Sequence, residues 1–133
     1  MRRLLSVFVC VLFAASLAAA QETAAGAEDQ GLKVEKAVAA TGVEDREPVG
    51  EATEFEASVG KVYCWSKITA ETVPTTIKHV WYHGEQKVFE MDLDIKYPST
   101  RTWTVKTVQP GDWRVDITDE GDNVLDSVSF TVK

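Results

Sequence analysis

Both histidines of the chain fall between Val62 and His83, with the only cysteine outside the amino-terminal leader. The same stretch holds two of the four tryptophans and two of the three tyrosines. Imidazole is a common metal ligand, so the first chemistry to weigh is a metal site on His79 and His83. On a strand, residues two and four apart share a face, which aligns Ile77, His79, Trp81 and His83 against Lys78, Val80 and Tyr82. Four strand steps separate the two imidazoles by about 13 Å, too far for one ion. His79 is therefore expected to pack and hydrogen-bond beside Trp81, and His83 to sit at the turn made by Gly84. Cys64 with His79 as its base would make a nucleophile. Yet Val62, Cys64, Ser66 and Ile68 form the smaller, more apolar phase of their strand, which predicts a packed thiol.

Asp119, Glu120 and Asp122 offer carboxylates for calcium, but their spacing does not fit a helix-loop-helix calcium loop. A hairpin turn already explains Asp119-Glu120-Gly121-Asp122-Asn123. The chain has no G-x-S-x-G, no H-E-x-x-H and no glycine-rich phosphate loop. A non-catalytic protein without metal or cofactor is the expectation.

Aromatic residues supply the remaining lead. With Cys64 and Trp81 inward, Tyr63, Trp65 and Tyr82 point outward, and on paired strands they would form a flat amphipathic patch. Such patches stack on sugars or anchor protein partners. The alternative is that the acidic segment Glu44–Ser58, which reads as a long loop broken by Pro48 and Gly50, covers the patch, with Phe55 expected to plug the loop onto the core. Trp103 and Trp113 are assigned to the core by the phase of their strands. Arg101 and Lys106 lie five apart, on opposite faces of one strand, and are expected to pair with carboxylates such as Glu90, Asp92 or Asp116.

The elements that must position these residues are strands. Val59–Thr69, Thr75–His83, Lys87–Lys96, Arg101–Val108, Trp113–Thr118 and Val124–Val132 alternate apolar and polar residues between turn signals, and Leu32–Val43 adds a seventh. This spacing predicts an all-β domain at 32–133, an immunoglobulin- or fibronectin-III-like β-sandwich of about seven strands. Cys64 and Trp81 match half of the immunoglobulin core signature. The second cysteine, due near Val115, is absent.

Ahead of the domain, Met1-Arg2-Arg3, an apolar run from Leu4 to Leu17 and Ala18-Ala19-Ala20 read as a secretory signal peptide at 1–20. That run is shorter than the roughly 20 residues of a membrane span. Residues 21–31 read as a disordered linker. The chain carries a formal charge of −7, and cleavage would remove Arg2 and Arg3 but no acid. Such a balance opposes binding to nucleic acid and adsorption to an anionic membrane. One cysteine in the mature chain precludes an internal disulfide.

Five blocks in order carry a family resemblance: Val62-Tyr63-Cys64-Trp65-Ser66-Lys67-Ile68; His79-Val80-Trp81-Tyr82; Arg101-Thr102-Trp103-Thr104-Val105-Lys106; Gly111-Asp112-Trp113-Arg114-Val115; and Gly121 with Leu125. Together they resemble the DUF2914 domain of bacterial proteins over roughly residues 35–133. Thr104 stands where serine is expected. The resemblance implies an exported or membrane-attached bacterial protein and supplies no reaction, substrate or cofactor. It marks His79, Arg101 and Lys106 as the polar residues to watch. The combined expectation is an exported, periplasmic or extracellular binding module, without membrane insertion once its leader is removed. Tyr63, Trp65, Tyr82, His79, Arg101 and Lys106 are its candidate site residues. Its expected partner is an envelope protein, or alternatively a glycan held by exposed aromatics.

Overall fold

The computed structural model describes residues 31–133 and is all-β. The leader at 1–20, and the linker up to residue 30, lie outside the described residues. The strands are β1 (Leu32–Ala40), β2 (Gly42–Glu44), β3 (Glu47–Val49), β4 (Glu54–Phe55), β5 (Lys61–Ala70), β6 (Thr75–His83), β7 (Gln86–Ile95), β8 (Ser99–Thr107), β9 (Gly111–Thr118) and β10 (Val124–Val132). A single 3-10 turn, Ala57–Val59, precedes β5, and no α-helix occurs among the described residues.

Three strands in the order β1-β5-β8 form one sheet, and five in the order β4-β10-β9-β6-β7 form the other. Pairing within them is antiparallel except for the short β4–β10 contact. Strands β2 and β3 form a separate hairpin. The alternation of apolar residues explains which faces meet. Val62, Cys64 and Ile68 of β5 are buried, as are Ile77 and Trp81 of β6, Trp113, Val115 and Ile117 of β9, and Val128, Phe130 and Val132 of β10. One cluster gathers Val62 and Cys64 with Trp81, Trp113, Val115 and Phe130. A second gathers Leu32 and Ile68 with Ile77, Ile95 and Ile117. Both draw on both large sheets, so the inner faces of the sheets share one core. Trp81 is its hub, in edge-on contact with Trp113 at 6.4 Å and Phe130 at 6.2 Å between ring centroids. Burying an aliphatic or phenyl side chain stabilises by roughly 1.5–3 kcal/mol, so a core of this size needs no disulfide. Cys64 is a free, buried thiol.

Three expectations need correction. The segment Glu44–Ser58 is not all loop, since it contains β3, β4 and the 3-10 turn. Phe55 does plug the core as expected, meeting Phe130 edge-on at 5.6 Å. Strand β8 runs in the opposite phase from that expected. Thr104 pairs with Cys64 and Trp103 with Trp65, so Thr104 faces the core while Trp103 and Val105 face outward. The apolar residues of β8 had suggested the reverse, but the inner face at this point takes a hydroxyl. Finally, β5 pairs with β1 and β8 while β6 pairs with β7 and β9. The chain changes sheets between β5 and β6, so Tyr82 cannot share a patch with Tyr63 and Trp65.

Candidate functional site on the outer face of the three-stranded sheet

On the outer face of the β1-β5-β8 sheet the register places Tyr63 beside Val105, Trp65 beside Trp103, and Lys67 beside Arg101. Val38 of β1 flanks Trp65 on its other side. Tyr63 and Trp103 are half-buried and Val105 is exposed. Trp65 is only 2% exposed, which corrects its assignment to an open surface. Its indole N–H donates to the Arg46 carbonyl at 2.9 Å, pinning the tip of the β2–β3 hairpin over the ring. The acidic segment thus covers part of the face, through Arg46, while Phe55 serves the core instead.

The hairpin tip is unusual. Asp45 and Arg46 both have positive φ, 54° and 68°. A two-residue hairpin turn of this hand favours Asn-Gly or Asp-Gly, because glycine accepts the left-handed conformation freely. An arginine there costs on the order of 1 kcal/mol. Arg46 lines a surface depression of about 500 Å³ with Lys67, Tyr97, Ser99, Thr100 and Arg101. Tyr97 is exposed, at 67%. The Arg101 guanidinium pairs with the Glu47 carboxylate on the hairpin. Arg101 therefore finds its partner in the acidic segment. Glu90 goes to Lys87, and Asp116 to Arg114.

The other sequence candidates lie elsewhere. Lys106 pairs in register with the core residue Val62, across the sheet from Arg101 as expected. Tyr82 sits on the outer face of the five-stranded sheet, with the Arg114 guanidinium 4.3 Å above its ring. His83 stacks on Trp113, at 4.4 Å and 12° between planes, and its Nε2–H donates to the Pro110 carbonyl at 3.0 Å. A Cβ on Gly111 would come within 2.5 Å of that His83 nitrogen, and the φ of 137° there also calls for glycine.

His79 is fully buried between the sheets. Its Nδ1 lies 2.8 Å from Thr104 Oγ1 and its Nε2 lies 3.2 Å from Ser66 Oγ. The Trp81 indole, which can only donate, gives its N–H to the same Thr104 oxygen at 3.0 Å. Thr104 can then donate its proton to His79 Nδ1, and His79 Nε2–H can donate to Ser66. Burial lowers the imidazole pKa to about 4, so the ring is neutral and both nitrogens are occupied. The network joins β5, β6 and β8. Burial, with the Asp126 carboxylate as a lesser cause, pushes the Cys64 thiol up to about 12. The Asp119 carboxylate accepts the backbone N–H groups of Gly121 and Asn123 at 2.9 Å each, as a hairpin-turn role requires.

Of the sequence candidates, the outer face therefore unites Tyr63, Trp65 and Arg101, and leaves out Tyr82, His79 and Lys106. Sequence reasoning missed Arg46, Lys67, Tyr97 and Trp103. Val43-Glu44-Asp45-Arg46-Glu47-Pro48 carried a hairpin signal in its central Asp-x pair, but Pro48 and the run of acids pointed to loop.

Residues 74–132 match a family model described as "Protein of unknown function (DUF2914)". No curated protein matches the chain. The matched residues take in His79, Trp81, Arg101, Thr104 and Gly111, while the β2–β3 hairpin and β5 lie outside them.

Proposed function

We propose that this DUF2914-matching chain is an exported, non-catalytic binding module of the bacterial cell envelope that engages a protein partner through the outer face of its β1-β5-β8 sheet. The observation that carries this reading is the juxtaposition of Tyr63, Trp103 and Val105 on adjacent strands, with Arg101 and Lys67 at the same face. A half-open aromatic centre with a charged margin has the composition of a protein interface. The leader-like residues 1–20 support export, and the arrangement β1-β5-β8 against β10-β9-β6-β7 supports a β-sandwich of immunoglobulin or fibronectin-III type. Fold alone carries no function, so the argument rests on the face itself. A glycan-binding module would present a row of open aromatic rings, and here Trp65 is covered.

A photo-crosslinking side chain at Val105, 39% exposed, tests the proposal in envelope extract. The expected result is a discrete protein adduct, competed by excess unlabelled domain and absent when the probe replaces Val88 on the other sheet. Loss of competition, or equal labelling from Val88, overturns the reading. A protease-resistant, glycosidase-sensitive adduct would transfer the site to glycan binding.

A further inference from the structure

We infer that the depression bounded by Arg46, Lys67 and Arg101 is a carboxylate-binding subsite that takes acidic side chains of the partner, and that Glu47 of the hairpin engages one of its three cations in the free protein. The inference deepens the protein-binding reading and rests on it. Three observations converge. First, three cations from three elements, the β2–β3 turn, β5 and β8, line one depression, together with Ser99 and Thr100, in a chain of net charge −7. Among the described residues only Arg101 of the three is in an ion pair. A local cluster of cations attracts anions even on a molecule of net negative charge.

Second, Arg46 is held in a backbone conformation that favours glycine. Strain of this kind persists only where surrounding structure enforces it, and it clusters at ligand clamps. Here the enforcing contact is the Trp65 indole on the Arg46 carbonyl. Third, one of these cations already holds a carboxylate: Glu47 pairs with Arg101. That contact shows the ligand chemistry the subsite accepts, since a guanidinium fork matches a carboxylate. Two cations remain for carboxylates arriving from outside, and Tyr97 offers an exposed ring beside them.

The test uses end-capped hexaglutamate as probe, with hexaglutamine and inorganic phosphate as comparators, followed by amide NMR at low salt. The expected result is a saturable shift of the Lys67, Thr100 and Arg101 amides with hexaglutamate, suppressed by added salt. Arg46→Gly removes the cation while giving the turn its preferred residue. It should weaken hexaglutamate by about three- to fivefold, the scale of an exposed charge pair, with an unchanged or higher Tm. Glu47→Gln, which vacates Arg101, should tighten it. Unchanged affinity in Arg46→Gly, equal binding of hexaglutamine, or tighter binding of phosphate than of hexaglutamate each overturn the inference. Because the probe at Val105 reports partner engagement separately, an adduct there combined with failed hexaglutamate binding would remove this subsite and leave the protein-binding reading standing.

Discussion

At the scale of single residues, His79 has the most measurable consequence. Its folded pKa, near 4, lies below the ordinary imidazole value of 6.5. Between those values the unfolded chain binds a proton that the folded chain does not. Stability therefore rises with pH across that window, is fully present above about 6.5, and is lost as pH falls toward 4. The size of the effect is about 3 kcal/mol, since each pH-unit difference is worth about 1.4 kcal/mol. Urea melts of the wild type at a series of pH values between 4 and 7 should show this slope, and His79→Gln should flatten it. An identical slope in the variant would assign the acid sensitivity elsewhere. Strand alternation placed the ring beside Trp81 in the core. It did not disclose the hydroxyls facing the ring, because Ser66 and Thr104 come from strands 13 and 25 residues away.

At the scale of elements, the β2–β3 hairpin is the least conventional piece. It is short and charged, and it is anchored by the Trp65 indole and the Arg101–Glu47 pair. Trp65→Phe keeps most of the apolar contact and removes the indole donor. It should cost about 1 kcal/mol, the net worth of one hydrogen bond, and should speed hydrogen exchange selectively at Thr41 and its neighbours, whose amide bonds to Val49. Uniform acceleration across β9 would mean that the indole supports the whole domain instead. The long strands were legible in sequence because their periodicity is sustained over eight to ten residues. The hairpin was not, because strands of three residues carry too few alternations. The phase of β8 was misleading for another reason. Trp103 and Val105 are the apolar set of that strand, but an apolar face can be closed by a neighbouring hairpin as well as by the opposing sheet.

At the scale of the whole molecule, the two sheets are joined by a core with a polar centre. Thr104 supplies the acceptor for Trp81 and the partner of His79. Thr104→Val conserves shape but strands both groups, and should destabilise by about 1–3 kcal/mol, the penalty for buried polar atoms left unpaired. Thr104→Ser retains the hydroxyl and should lose less; thermal melts of the two variants give the comparison. Equal losses would show that the methyl group, and not the hydrogen bonds, matters at this position. The all-β class was visible in the spacing of turns. Which strands share a sheet was not, because it depends on the crossing between β5 and β6, and no residue pattern at Glu71–Pro74 announces that change.

The polar centre also bears on uniqueness of assembly. Two greasy sheets can slip past one another by a pleat and still find comparable contacts, because dispersion is nearly indifferent to such a slide. The bonds from His79 to Ser66 and Thr104 are not indifferent: they close at a single offset. An all-aliphatic replacement of the trio could match the native domain in free energy and yet populate several offsets, since buried polar groups can serve singularity more than strength. Its symptom would be broadened methyl resonances along β5 and β8 at unchanged melting temperature. In that sense the imidazole works as a dowel, setting where one layer sits upon the other.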